Sequence, residues 1–365
     1  MKIAMSISQV TMNFNKEMNL MSGTRYVGNL QNGDRVKISS DSPNKSIVIS
    51  GISGTGKSQR ICDLEKNIIA EGSTVIVLDL DGSHYNVGNE NIISAREDGI
   101  ALNFLDVKIL NKPSDEISEY QAEIANLLLS VTKAGDRQRA LLRDTILWAL
   151  KHKNNFENDF SAIETGLEEI GTEKALGVRD KIWPLLKCRV FRESKKTIQK
   201  GKVNVISFES FDTDLTKVLV EIFLKNLWKE ARIMKENKIT VVIDDFNNLI
   251  LGRKSSIEQI LREGRKYGID ILLATQTLAT FSKATLVALN QAAVRLYFRP
   301  AVSETKMLAQ QIDGTNVERL ILTLKHLKVG ESVAIGDLEI AGKHIERPIV
   351  VRTDYRKKNG YDIRR

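Results

Sequence analysis

The sequence predicts a three-layer α/β fold, with a largely parallel central sheet, helices on both faces and a helical insertion. Three observations carry this. Short apolar runs alternate with segments of helical spacing, the rhythm of strand, crossover helix and parallel strand. A glycine-rich segment, 51–58, stands between the first such run and the helix after it. Between about Ser114 and Leu186 the strand signal disappears and apolar residues recur at helical spacing.

The elements follow in order. Residues 1–24 show no sustained period and are expected as an arm able to tie neighbouring subunits together. From Tyr26 to Ile38, Gly28 and the Asn32-Gly33-Asp34 turn separate short apolar pieces, a small hairpin. Ile47-Val48-Ile49 reads as a buried strand, Thr55 to Ala70 as a helix and Thr74 to Leu80 as a second strand. In the insertion, Ile124, Leu127, Leu128 and Val131, then Leu142, Ile146, Leu147 and Leu150, mark helices. Strands are then expected at Val203 to Phe208, Thr240 to Ile243, Ile269 to Ala274, Ala293 to Phe298, Ser332 to Ile335 and Ile349 to Arg352. Helices are expected at Asp212 to Lys235, Ser256 to Tyr267, Lys283 to Asn290 and Thr315 to Leu327. The organisation expected is an arm (1–24), a small β lead-in (25–45), a core (46–113 and 203–352), a helical insertion with a basic segment (114–202) and a basic tail (353–365).

Composition narrows the class. Apolar residues make up 42% and charged residues 27% of the 365, with five Pro, which excludes disordered, collagen-like and fibrous chains. A count of 54 Lys plus Arg against 46 Asp plus Glu gives +8, compatible with an acidic polymer or surface as partner. Cys62 and Cys188 are too few for a disulfide framework and read as buried small hydrophobes, pointing to a reducing, cytoplasmic setting. No apolar run approaches the roughly 20 residues of a membrane span, and Lys2 to Asn19 lacks a signal peptide's apolar stretch. No direct membrane insertion is expected.

The strongest chemical signal is Gly51-Ile52-Ser53-Gly54-Thr55-Gly56-Lys57-Ser58, the full phosphate-loop pattern between an apolar strand and a helix. Glycines let the chain turn tightly so that backbone N–H groups converge on phosphate oxygens. Lys57 reaches the β and γ phosphates, and Ser58 supplies a hydroxyl to Mg²⁺. An ordinary glycine-rich turn, or a site that binds nucleotide without turning it over, is the competing reading. The apolar run Ile239 to Ile243 ends in Asp244 and Asp245. Ligands collect outside the carboxyl ends of parallel strands, where the phosphate loop also sits. Asp244 is therefore assigned an outer-sphere or water-mediated hold on Mg²⁺ and Asp245 to orient or activate the hydrolytic water; the alternative is two acids capping the next helix or facing water. The fold class sharpens to a RecA-like P-loop NTPase with ATP and Mg²⁺ as cofactors.

With these motifs the sequence resembles the HerA/FtsK superfamily of ring-forming, nucleic-acid-translocating ATPases, and its HerA-like branch in particular, over about 25–352. Asp79-Leu80-Asp81-Gly82-Ser83-His84-Tyr85 matches in outline the acid, Gly, acid, Tyr pattern of relatives, with Ser83 and His84 departing from it. Leu261-Arg262-Glu263-Gly264-Arg265-Lys266-Tyr267-Gly268, then a strand and Thr275-Gln276, is the more specific match. The resemblance implies that Arg265 acts in trans on a neighbour's nucleotide, with Arg262 as companion and Gln276 as phosphate sensor; a solvent-facing helix is the bland reading. It also implies that the Gly330-Glu331 turn precedes a strand and that Ile349 to Arg352 crosses toward a neighbouring subunit. Relatives usually carry Glu where this chain has Asp245, which is one methylene shorter and implies slower turnover.

Arg299, beside Pro300, reads as a second interface arginine or as half of a local carboxylate pair. Lys187, Arg189, Arg192, Lys195, Lys196, Lys200 and Lys202, with Glu193 as the one acid among them, form either a pore-facing phosphate contact or a solvated linker. Arg356, Lys357, Lys358, Arg364 and Arg365 are a second cluster or a solubilising tail. His84 reads as a surface or satisfied loop residue. The function implied is an ATP-dependent DNA translocase or helicase, a homo-oligomeric, hexameric ring working beside a nuclease or other effector in DNA repair or antiphage defence. The alternatives are an ATP-gated scaffold ring that regulates an effector, and a protein-transport ATPase.

Overall fold

The computed structural model describes residues 25–84, 88, 90–130, 132–233 and 238–353. The expected arm, Tyr85, Val131, the end of the Asp212 to Lys235 helix and the basic tail beyond Thr353 lie outside these residues. One 13-stranded sheet organises the rest. Its parallel half runs β9 (Val294–Tyr297), β3 (Ile47–Ser50), β8 (Ile269–Thr275), β7 (Ile239–Ile243), β4 (Thr74–Asp79), β6 (Val203–Ser207) and β5 (Asn91–Ser94). From β9 outward the sheet continues antiparallel through β10 (Glu331–Gly336), β13 (Ile349–Arg352), β1 (Tyr26–Asn29), β2 (Arg35–Ile38), β11 (Leu338–Ile340) and β12 (Lys343–Ile345).

Alternation along the strands creates the layers, because successive side chains leave a strand on opposite faces. Ile47 and Ile49 join one buried cluster with Val75, Val77 and Val242, covered by Ile61, Leu64 and Ile68 of helix α1 (Lys57–Ala70). Val48, Ile76, Leu78, Val241 and Ile243 face the other cluster. That second face is covered by α6 (Thr213–Ile233) and α7 (Ser256–Glu263) and reaches the insertion helices α2 (Ser114–Leu128), α3 (Asp136–His152), α4 (Asp159–Ile170) and α5 (Glu173–Lys187). Full burial of side chains such as Leu64 and Ile68 is worth about 1.5–3 kcal/mol each.

Several elements differ from expectation. The strand β5 was not expected; it has four residues, with Ile92 exposed and Ile93 buried, at the sheet's edge. Helix α9 (Thr305–Ile312) and the β11–β12 hairpin were also missed. The helix expected at Ser256 to Tyr267 changes to a 3-10 turn at Gly264–Tyr267 before β8. The remaining helices are α8 (Lys283–Leu289) and α10 (Val317–His326).

The resemblance implies a terminal strand that crosses toward a neighbouring subunit; within the described chain β13 lies in the sheet. It pairs with β10 at Ser332↔Val351 and with β1 at Asn29↔Arg352, and Val351 is fully buried in the chain's own core. Arg25 anchors the lead-in at the sheet's other end: its buried guanidinium meets Glu71 at 3.3 Å and donates to the Lys45 carbonyl at 2.7 Å.

Candidate nucleotide site

The phosphate loop hangs between the carboxyl end of β3 and the first turn of α1. It is held by main-chain bonds to three neighbouring segments. Gly51 N–H donates to Thr275 O (3.3 Å), Ile52 N–H to Arg299 O (3.0 Å), and Gly330 N–H to Thr55 O (2.9 Å). Gly51 is forced by crowding as well as by its φ of 150°, since a Cβ there would lie 2.6 Å from that of Phe298. The Gly330 turn, expected only as a lead into a strand, thus braces the loop, and Gly330 O in turn accepts from Thr353 N–H at 2.9 Å. Ser53, Gly54 and Ser58 are exposed while Thr55 and Lys57 are buried. Gly56 closes the loop as the N-cap of α1.

Lys57 Nζ donates to Ile52 O at 3.2 Å. Burial pulls its pKa down, opposed by the negative charges of Asp244 and Asp245. Asp244 moves the other way, raised first by burial and then by Asp245. Ser58, Asp79, Asp81, Asp244 and Asp245 line one cleft of about 160 Å³ at the carboxyl ends of β4 and β7. The pattern residues after β4 therefore reach the same cleft as the phosphate loop, although Tyr85 is outside the described residues.

Asp245 has a left-handed backbone (φ 50°, ψ 44°), and its side chain does not cap the short 3-10 turn that follows. This conformation costs a non-glycine residue on the order of 1–3 kcal/mol. It turns Asp245 toward β8, where Gln276 Nε2 donates to Oδ2 at 2.9 Å, while the buried Oδ1 has no hydrogen-bond partner among the described residues. Asp244 Oδ1 accepts the Asp245 N–H at 2.9 Å. The donor set fits Mg²⁺: a Ser hydroxyl and a carboxylate are hard oxygen ligands, too few to enclose a cation alone but suited to one that keeps waters and shares phosphate oxygens.

Arg262 and Arg265 sit apart from this cleft's lining. Arg262 pairs with Glu258 at 2.9 Å, whereas Arg265 is exposed with no partner among the described residues. Arg299 is likewise exposed and makes no ion pair among the described residues, so the expected carboxylate pairing is absent there. In the basic segment, Lys187 pairs with Glu164 (2.6 Å), Lys196 with Asp98 (3.0 Å), and Arg192 donates to Arg96 O and Glu97 O (3.0 and 2.8 Å). These three cations pin the segment to its own chain.

Two features had no sequence signal. Glu65 of α1 is fully buried with neither oxygen hydrogen-bonded among the described residues, 3.8 Å from His84 Nε2, which also lies 3.6 Å from Glu90. Burial, reinforced by Glu90, raises the Glu65 pKa to about 8. The His84 side chain is thus largely buried rather than on the surface; burial lowers its pKa, opposed by the negative charges of Glu90 and Asp79. The second is Glu304, also buried, whose Oε1 accepts from Leu278 N–H (3.1 Å), Ala279 N–H (2.8 Å) and the Thr277 hydroxyl. No motif marks it.

A phosphate loop on β3, acids at the end of β7 and a polar residue at the end of β8, on adjoining parallel strands, define a RecA-like P-loop ATPase of the HerA/FtsK-like superfamily. The chain belongs to the family described as "Helicase HerA, central domain", which matches residues 25–227. It is 22% identical over 356 residues to the DNA double-strand break repair helicase HerA of Sulfolobus acidocaldarius, covering 87% of this chain and 66% of that protein. The HerA of Sulfurisphaera tokodaii is 23% identical over 373 residues, at 91% and 69% coverage. The chain thus spans 66% to 69% of the length of these relatives. The solved VirB4 of Thermoanaerobacter pseudethanolicus superposes with a TM-score of 0.69 at 15% identity, over 92% of this chain and 97% of that one. The conjugative coupling protein TrwB gives 0.58 at 14%, over 87% and 86%. At such identities the likeness is one of fold. No helix among the described residues is long and apolar enough to cross a membrane.

Proposed function

We propose that this chain is an ATP-dependent DNA translocase or helicase that works as a homo-oligomeric, hexameric ring beside a nuclease or other effector in DNA repair or antiphage defence. The carrying observation is the convergence of Lys57, Ser58, Asp244 and the Gln276–Asp245 pair at the carboxyl ends of adjoining parallel strands. Support also comes from relatives named as repair helicases and from TrwB structures in complex with ADP and Mg²⁺ or with an ATP analogue.

In this reading the loop that starts at Gly51 surrounds the phosphates with the backbone N–H groups of Ser53, Gly54, Thr55, Gly56, Lys57 and Ser58, and Lys57 leaves the Ile52 carbonyl for phosphate oxygens. Ser58 and Asp244 hold Mg²⁺, which when bound neutralises charge on the phosphate oxygens. The unbonded Asp245 Oδ1 accepts from the attacking water while Gln276 fixes Oδ2 and senses the γ phosphate. Arg265, with Arg262 beside it, serves the neighbouring subunit's nucleotide, where a guanidinium neutralises charge developing in transfer. ATP hydrolysis stimulated by duplex DNA, in a particle of several subunit masses with ATP, is the expected result. A monomer under saturating ATP with no DNA stimulation overturns it.

One observation favours a second reading, an ATP-gated scaffold with little translocation. Lys187, Arg192 and Lys196 are engaged within the chain rather than left open for phosphates. Displacement of a roadblock on DNA excludes the scaffold. Nucleotide-dependent assembly with an effector, without movement, supports it.

A further inference from the structure

The geometry points to Glu304 as a positioning residue for Gln276, through a strap that ties the phosphate loop and the γ-phosphate side of the site to one short segment. The inference rests on the proposed role of Gln276. Phe298 to Glu304 connects β9 to α9. At one end, Phe298 crowds Gly51 and Arg299 O takes the Ile52 N–H. At the other, Glu304 is 4% exposed and its Oε1 gathers the Leu278 and Ala279 amides and the Thr277 hydroxyl. Gln276 stands between this clamped stretch and the end of β8. Its neighbours are locked to each other too, for Thr275 Oγ1 donates to Thr277 O at 3.0 Å.

Bonds to an ionised acceptor are shorter and roughly twice as strong as neutral ones. Three donors on one buried oxygen leave the 277–279 loop little freedom to drift, so the Gln276 amide stays 2.9 Å from Asp245. Without the carboxylate, three donors lose their partner and the loop reorganises. Gln276 then loses its alignment while the phosphate loop, held also from outside the strap by Thr275 O of β8 and by Gly330, keeps its shape. A brace acting on the whole fold would instead weaken nucleotide binding and turnover together.

The test uses the full chain with ATP. In Glu304→Ala, kcat is expected to fall about 100-fold, the effect of a small misplacement near the chemistry. Affinity for a non-hydrolysable ATP analogue stays within about twofold, since uniform binding is untouched. Adding Gln276→Ala to Glu304→Ala produces no further loss, because both changes remove the same alignment. Glu304→Gln, whose amide oxygen accepts from the same donors, restores turnover to within about threefold of the parent. Hydrogen exchange at the 278 and 279 amides accelerates in Glu304→Ala while 51–58 is unchanged. If Glu304→Ala does not fold, Glu304→Asp and Thr277→Val carry the same measurements in milder form. Additive losses with Gln276→Ala, or unchanged exchange at 278 and 279, overturn the proposal. A parent chain without ATP hydrolysis removes the catalytic reading of Gln276, and the exchange data still decide whether Glu304 fixes the loop.

Discussion

Lys57 is the residue on which the nucleotide reading turns. Its ammonium is buried, opposite two acids, and bonded to a loop carbonyl that bound phosphate would replace. Lys57→Ala is expected to abolish tight binding of ATP in a fluorescent-analogue titration; affinity equal to the parent's refutes the assignment. Glu65 offers an independent check on burial. Its folded pKa, about 8, lies above its ordinary 4.5, so its contribution to stability is complete below 4.5 and is lost as pH rises through 8. His84 acts oppositely, losing stability as pH falls below its ordinary 6.5. Between pH 6.5 and 8 the parent should therefore lose about 1 kcal/mol per pH unit in denaturant melts. Glu65→Gln should flatten that slope. An identical slope in both chains shows that Glu65 is ionised in the folded state.

At the scale of elements, the turn from α7 to β8 decides where Arg265 points. Gly264 fits there because the backbone of β8 passes so close that an added Cβ would lie 2.3 Å from Ile269 O. Gly264→Ala is expected to cost about 1–3 kcal/mol by overpacking. Gly177, inside α5, has its nearest obstacle, Gln138 Nε2, at 3.9 Å, and Gly177→Ala should gain about 0.5–1 kcal/mol. Equal melting temperatures for the two variants would remove the close-approach argument. Legibility follows the same physics. The buried strands β3, β4, β6, β7 and β8 were readable because apolar runs between turn signals leave few alternatives. The strand β5, helix α9 and the β11–β12 hairpin were not, being short and stabilised by their place at the sheet's edges or on its rim.

For the molecule as a whole, the proposed arrangement makes each active site the product of two chains. Lys57→Ala and Arg265→Ala should each be inactive alone. Mixed, they should recover part of the parent's ATPase rate, because the Arg265→Ala phosphate loop can face an intact Arg265 supplied by a Lys57→Ala neighbour. Recovery absent at every ratio, in particles shown by mass to be mixed, counts against an arginine supplied in trans. The exposed, unpartnered Arg265 is consistent with such a role.

The amino-acid order alone determined the phosphate-loop pattern, the acids after β7, and the Arg265 and Gln276 motif, because each depends on residue types at fixed local spacing. It determined the parallel α/β core for the same reason, since periodicity is a short-range property. Tertiary structure decided the rest: that Gly330 braces the phosphate loop, that β13 pairs with β10 and β1, and that Lys187, Arg192 and Lys196 of the basic segment are engaged within the chain. It also decided that Glu304, 28 positions after Gln276 in the numbering, holds the loop beside it. Contacts between distant segments depend on how strands are ordered in the sheet, and that order is set by packing of the assembled layers rather than by any local pattern.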